Sequence, residues 1–240
     1  MEIPKLRSFR VASRSDLAEG VYSLTLVPAD SEPLFSFEPG QWIMLHVLNP
    51  DGTTWRKAAF SIVSAPAEST ASFELGIKIR GELTTRASKF EVGEKVKVQG
   101  PYGFFFLEDT VATLVLLAGG IGVTPFRSMI REMCLQKNTR NIYLFYSTGT
   151  REKMAYEKEL RDLSRECPNF KPIFILTHET PADWDGESTR MSKEMLKSRG
   201  VDFKTADFMA CGSTRFVQDI KVMLESEGVD LKNKFKQESF

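Results

Sequence analysis

The chain has 240 residues, 42% of them hydrophobic and 27% charged, the profile of a folded protein of one large or two smaller domains. Thirty-two Lys and Arg balance thirty-two Asp and Glu, so no overall field gathers nucleic acid or an anionic membrane, and any anion must be bound locally. Cys134, Cys167 and Cys211 have no C-x-x-C spacing, which argues against a disulfide framework, an iron–sulfur cluster or a structural zinc site and fits a reducing compartment. Two histidines, His46 and His178, are too few for a His-rich metal site, and no Ser-His-acid triad assembles, so neither metal nor hydrolytic chemistry is expected.

The start, Met1 to Lys5, is polar and runs into no apolar stretch, so no signal peptide is expected. The longest apolar run, Leu114–Ala118, is too short to span a bilayer. A cytoplasmic protein without a membrane span is the reading.

In chain order, the first elements are strands. Val21–Val27, Gln41–Val47, Phe73–Ile79 and Lys95–Val98 are β-branched or aromatic, and Pro39-Gly40, Asp51-Gly52 and Gly93 punctuate them. This spacing predicts an antiparallel barrel or sandwich over residues 1–107. Leu107–Thr110 reads as a joint. Beyond it strands and helices alternate: Leu114–Ala118, helix 125–136, Asn141–Ser147, helix 153–166, Ile173–Thr177, helix 192–198, Asp207–Cys211 and helix 214–227. That order predicts an α/β domain over 111–240 with a parallel sheet covered on both faces.

The sharpest local signal is the turn after Leu114–Ala118: Gly119, Gly120, Ile121, Gly122, Val123, Thr124 and Pro125, followed by a helical pattern. The glycines let backbone approach a ligand closely. Thr124 suits an N-cap and Pro125 the first helical position. The helix N-terminus then offers free N–H groups and about half a positive elementary charge to a pyrophosphate. This first βα turn of a parallel unit is where dinucleotides sit, although Pro125 replaces the last glycine of G-x-G-x-x-G. The next strand, Asn141–Ser147, runs out into Thr148-Gly149-Thr150-Arg151-Glu152-Lys153, where adenosine ribose should lie. There Arg151 or Lys153 suits a 2′-phosphate and Glu152 suits ribose hydroxyls, so NADPH and NADH both stand. Tyr156 either flanks adenine or joins Leu160 and Leu163 in the core.

A strand-rich half followed by a dinucleotide half resembles the ferredoxin–NADP reductase family of flavin oxidoreductases. The likeness rests on Phe60-Ser61, Gly81-Glu82-Leu83-Thr84, Gly100-Pro101-Tyr102-Gly103, Gly119 to Pro125, Cys211-Gly212 and Glu238-Ser239-Phe240, all in family order. Where the family has an arginine facing flavin phosphate, this chain has Ala58, with Arg56 and Lys57 just upstream.

The resemblance implies that Phe60 packs on the flavin ring and that Ser61 hydrogen-bonds its N5. Gly81, Thr84 and Thr85, before a short helical stretch at 86–90, would hold a second pyrophosphate, which favours FAD over FMN. Cys211, Ser61 and Glu238 would surround the site of hydride transfer as catalytic residues. Gly212 would line the nucleotide beside them, and Phe240 would cover the flavin. The expected activity is hydride transfer from NADPH or NADH to FAD, then electron transfer to a separate protein or small-molecule acceptor such as ferredoxin or an oxygenase component. Two rivals remain: a non-catalytic or regulatory subunit of the same fold, and a reductase of free flavin. Arg80, Arg86, Lys89, Lys95 and Lys97 suit an acidic partner or a solvated surface equally.

Overall fold

The computed structural model describes residues 3–240, so Met1 and Glu2 of the polar amino terminus lie outside it. The first half holds β1 (Leu6–Ala18), β2 (Val21–Pro28), β3 (Trp42–Leu48), β4 (Thr54–Ser61), β5 (Phe73–Lys78) and β6 (Lys95–Tyr102). They form one sheet in the order β4-β3-β6-β1-β2-β5, with every neighbouring pair antiparallel. A bridge between Ile62 and Leu75, with the Val63 N–H donating to the Glu74 carbonyl at 2.9 Å, draws the end of β4 onto β5. The sheet thereby curls into a barrel filled by Phe9, Tyr22, Leu24, Ile43, Leu45 and Phe73.

The four expected strands are present with ends shifted by a few residues, and β1 and β4 are additional. Each hides its inward face behind polar letters. In β1 the buried alternates are Arg7, Phe9 and Val11. Arg7 is accommodated there because its guanidinium donates to both Asp30 carboxylate oxygens, at 3.1 and 2.7 Å, and to the Glu32 and Pro33 carbonyls. The short helix α1 (Glu82–Ala87) bridges β5 to β6 and starts four residues before the expected Arg86.

The second half holds β7 (Leu114–Gly119), α2 (Val123–Leu135), β8 (Ile142–Thr148), α3 (Glu157–Glu166), β9 (Phe170–Leu176), α4 (Lys193–Ser198), β10 (Asp207–Gly212), α5 (Thr214–Ser226) and β11 (Phe235–Ser239). The sheet order is β11-β10-β7-β8-β9 and all pairings are parallel. Val123, Phe126, Met129 and Ile130 of α2 with Leu160 and Leu163 of α3 cover one face. Met195 and Leu196 of α4 with Ile220 and Leu224 of α5 cover the other. The chain winds outward from β7 through β8 to β9, then crosses back to place β10 on the other side of β7. The crevice at the carboxyl ends of β7 and β10 is therefore the topological switch point, where open α/β sheets bind ligands.

Two expectations change here. Cys134, near the end of α2, and Cys167, just past α3, form a disulfide with Cα atoms 5.8 Å apart, so the reading that excluded a disulfide is corrected. Their 33-residue separation carries no motif; only the packing of α2 and α3 on one sheet face brings them together. The helix expected over 153–166 is also shorter. A 3-10 turn over Arg151–Lys153 and a left-handed Tyr156 (φ 63°) precede α3 at Glu157. Among the described residues no helix is long and apolar enough to cross a membrane.

Candidate functional site

The glycine turn stands at the switch point. β7 ends at Gly119, Gly120–Gly122 make one 3-10 turn, and α2 follows with Gly122 as its N-cap. Gly120 takes a φ of 56° with open space where a side chain would be, a conformation that favours glycine. Thr124 is not the N-cap and Pro125 is not the first helical residue; they are second and third. The reason is that Gly122 is already helical (φ −62°, ψ −4°), so α2 starts earlier. The Thr124 hydroxyl donates back to the Ile121 carbonyl at 2.9 Å, and Pro125 is tolerated because first-turn N–H groups lack intrahelical partners anyway.

Two of the sequence motifs meet here. A Cβ on Gly122 would collide with the Cys211 carbonyl and the Gly212 nitrogen of β10, while Gly119 and Gly212 both pack on the Phe216 ring. Ala118 pairs in register with Cys211, and Cys211 pairs with Glu238 of β11. Cys211 is 2% exposed; burial, reinforced by the nearby Glu238 charge, pushes its thiol pKa up and holds it protonated. Glu238 is half-buried, and burial raises its carboxyl pKa as well. The Phe240 N–H donates to the Gly212 carbonyl at 3.2 Å, leaving the ring 52% exposed beside the crevice.

The barrel presents the end of β4 to the same region. Phe60 pairs with Ile43 and Ser61 with Trp42, and both are half-buried. Just beyond them, the Val63 carbonyl accepts from the Arg127 guanidinium at 3.0 Å and the Ser64 carbonyl from the Ser128 hydroxyl at 2.6 Å. The Thr124 methyl lies against Gly76 of β5, where a Cβ would not fit. The start of α2 and the end of β4 are thus fixed relative to one another by buried contacts.

At α1, Gly81 has a φ of 86° and open space on its Cβ side. Thr84 is buried and its hydroxyl is used within the turn: it accepts from the Arg80 N–H at 2.6 Å and donates to the Gly81 carbonyl at 3.1 Å. Thr85 is exposed. Ala58 leaves the family's arginine position empty of charge, but two cations stand nearby. Arg56 pairs with Glu82 at 2.5 Å and lies 5.1 Å from the Trp55 ring centroid. Arg86 lies 4.9 Å from the same centroid and donates to the Leu48 carbonyl at 2.7 Å. This Trp55–Arg56–Arg86 cluster escaped the sequence reading because its parts lie 31 positions apart. An open left-handed glycine turn beside two arginines fits a pyrophosphate at the barrel, and the Gly119–Gly122 turn fits a second one at the sheet.

Thr148 ends β8 buried, with its hydroxyl donating to the Thr150 carbonyl at 2.8 Å. Arg151 is held by Glu157 at 3.1 Å and Asp183 at 3.0 Å, and Lys153 lies 3.5 Å from Glu19 of the barrel half. Tyr156 does not flank this end of the sheet. It is buried at the junction of the halves with its hydroxyl 3.1 Å from Glu74.

Two domain models match the chain: "Oxidoreductase FAD-binding domain" over residues 8–107 and "Oxidoreductase NAD-binding domain" over 116–222. The glycine betaine monooxygenase reductase subunit of Chromohalobacter salexigens is 28% identical over 88% of this chain and 58% of its own length. The flavohemoprotein of Rhizobium meliloti is 27% identical over 88% of this chain and 55% of its own. The chain therefore spans less than three fifths of the curated relatives it matches. The flavohem-like FAD/NAD binding domain of nitric oxide dioxygenase from Vibrio cholerae superposes with a TM-score of 0.88, covering 98% of both chains at 22% identity. The protein belongs to the ferredoxin–NADP reductase-like family of flavin oxidoreductases, with one FAD-binding and one NAD-binding domain.

Proposed function

We propose that this chain is an NAD(P)H-dependent flavoprotein reductase that passes electrons to a separate acceptor, a ferredoxin-like or oxygenase component or a small molecule. The observation that carries the reading is the closure of Gly122 on Cys211 while α2 also grips the residues after Ser61. One short helix start thereby ties the nucleotide turn to the barrel's flavin motif. Residues 1–107 are taken as the flavin half and 111–240 as the nicotinamide half.

FAD, when bound, would supply the redox chemistry, linking a two-electron donor to a one-electron acceptor. Phe60 and Ser61 offer it a ring contact and a hydroxyl donor. Gly81, Thr84 and Thr85 shape the turn for its pyrophosphate, with Arg56 and Arg86 supplying positive charge. Gly119, Gly120, Gly122 and the first turn of α2, including Thr124 and Pro125, receive the nicotinamide dinucleotide, with Thr148 and Arg151 bounding its ribose end. The Cys211 thiol, protonated and packed, fixes the floor of the crevice. Glu238 retains a proton to higher pH than an ordinary carboxyl and stands ready to exchange it at that floor. Phe240 shields the crevice from water. The protein's contribution is positioning and desolvation.

The setting this reading carries is the cytoplasm, which holds the nicotinamide pool; there the Cys134–Cys167 bond would form only under oxidising conditions. Ala58 favours one second reading, a reductase that takes flavin as a dissociable substrate. Anaerobic addition of NADH and of NADPH to the purified protein, followed by identification of the released flavin, decides. Bleaching of a retained yellow cofactor supports the proposal. Activity that rises saturably with added flavin, without retained colour, supports the second reading. A colourless protein with no diaphorase activity in added FAD overturns both.

A further inference from the structure

Resting on the reductase reading, we infer that the chain takes NADH in preference to NADPH, because carboxylates occupy both the cations and the backbone donor at the carboxyl end of β8. The ribose end follows from the sheet. β7 and β8 are adjacent, with Gly119 in register with Ser147, so a dinucleotide whose pyrophosphate rests on the glycine turn carries its adenosine to the end of β8.

A 2′-phosphate needs unpaired cations there, ideally an arginine fork. Arg151 is the best placed, and its fork is taken: Nε and Nη2 donate to the two Glu157 carboxylate oxygens at 3.1 and 3.3 Å, and Nη1 donates to Asp183 at 3.0 Å. Its guanidinium also lies 5.6 Å from the Trp184 ring centroid. Arg161, one helical turn into α3, is claimed by Glu157 at 2.9 Å and by both Asp185 oxygens at 2.9 and 2.7 Å. Lys153 faces Glu19 across the junction. His178, whose backbone N–H donates to the Gly149 carbonyl, is the remaining basic side chain at this turn.

The backbone is committed as well. The Arg151 N–H, an amide on which a phosphate oxygen could rest, donates to the Glu179 carboxylate at 2.6 Å. Glu179 is only half-buried, and its second oxygen is an acceptor for a ribose diol. A carboxylate at this place serves the 2′-hydroxyl and repels a 2′-phosphate. Asp183 neutralises Arg151, and Glu152, also at the turn, adds further negative charge. The two dinucleotides differ only by that phosphate, so the preference is set here and not at the glycine turn.

The test uses the purified full chain and titration calorimetry with NAD+ and NADP+, a readout independent of turnover. NAD+ is expected to bind at least about tenfold more tightly than NADP+, since juxtaposed like charges are strongly disfavoured. Asp183→Asn and Glu179→Gln, each made singly, should narrow that gap by tightening NADP+. In steady state the gap should appear in KM for NADPH more than in kcat. NADP+ binding equal to or tighter than NAD+ overturns the inference and leaves the reductase reading intact. Binding of neither nucleotide overturns both. If a variant fails to fold, the wild-type comparison still decides.

Discussion

The Tyr156 hydroxyl donates to a Glu74 carboxylate oxygen 3.1 Å away, joining the parallel half to the barrel half through a buried tyrosine and a half-buried carboxylate. Arg127 lies 5.3 Å from the Tyr156 ring centroid and donates to both Glu159 oxygens, at 3.0 and 3.1 Å, so the pair sits inside a compact ionic group. Burial raises the Glu74 pKa, and Arg127 only partly offsets this. The folded protein therefore binds a proton at Glu74 over a pH range where the unfolded chain does not. The contribution is favourable at low pH and is lost as pH rises from about 4.3 through the raised folded value. Urea unfolding across this range should show Glu74→Gln without that decline, converging with or exceeding the wild type at neutral pH. Parallel pH profiles for the two proteins would remove Glu74 from this role. Tyr156→Phe should cost about 0.5–1.5 kcal/mol, since it removes one hydrogen-bond donor from a half-buried carboxylate.

The glycine turn could be read from the chain because its signal is local: glycines after an apolar run and before a helical period. Cys211-Gly212 was legible for a similar reason, as the end of an apolar strand. The Tyr156–Glu74 bond was not, since 82 positions separate its partners and each residue alone reads as helix or strand. β11 was invisible to hydrophobic patterning because Phe235–Ser239 is mostly polar and owes its place to pairing with β10. Thr124 was misplaced by two positions because a non-glycine N-cap is the usual choice, and here the glycine turn itself winds helically. The pairing of Arg151 was hidden because Asp183 reaches it from a loop beyond β9.

Gly122→Ala isolates the contact between turn and β10. Its Cβ would land on the Cys211 carbonyl, and overpacking of this kind costs about 1–3 kcal/mol, relieved by shifting the turn. Dinucleotide binding should weaken by about tenfold or more, while the flavin absorbance of the purified protein stays at wild-type level. Loss of flavin with unchanged dinucleotide affinity would mean the two halves are assigned in reverse.

Thiol counting distinguishes the three cysteines. Cys211 is buried and protonated, and Cys134 and Cys167 are bonded to each other. A thiol reagent at neutral pH should find essentially none in the native protein, one after unfolding without reductant and three after unfolding with it. Cys134→Ser should lower stability by about 3–4 kcal/mol in non-reducing buffer, from the entropy of a closed loop of this length. With reductant present, the wild type should lose most of that advantage over the variant.

Ala58→Arg tests the empty arginine position. Ala58 lies on β4, two positions from Arg56, and pairs with Leu45 of β3. A new charge-assisted bond to phosphate contributes about 1.5–3 kcal/mol, so the flavin dissociation constant should fall by about tenfold or more. An unchanged constant, measured by fluorescence during flavin titration, would assign the phosphate to Arg56 and Arg86 as they stand.

Ser61→Ala addresses the reacting end of β4. Ser61 pairs with Trp42, and the backbone just after it is held by Arg127 and Ser128, so removing the hydroxyl leaves the strand in place. One hydroxyl bond is worth about 0.5–1.5 kcal/mol. If it acts at the hydride-accepting atom, single-turnover flavin reduction under excess NADH should slow by about 3- to 10-fold. Flavin occupancy and dinucleotide affinity should stay near wild type. A drop in occupancy with an unchanged rate constant for the loaded fraction would make Ser61 a binding residue only. An unchanged rate with full occupancy would remove it from the site.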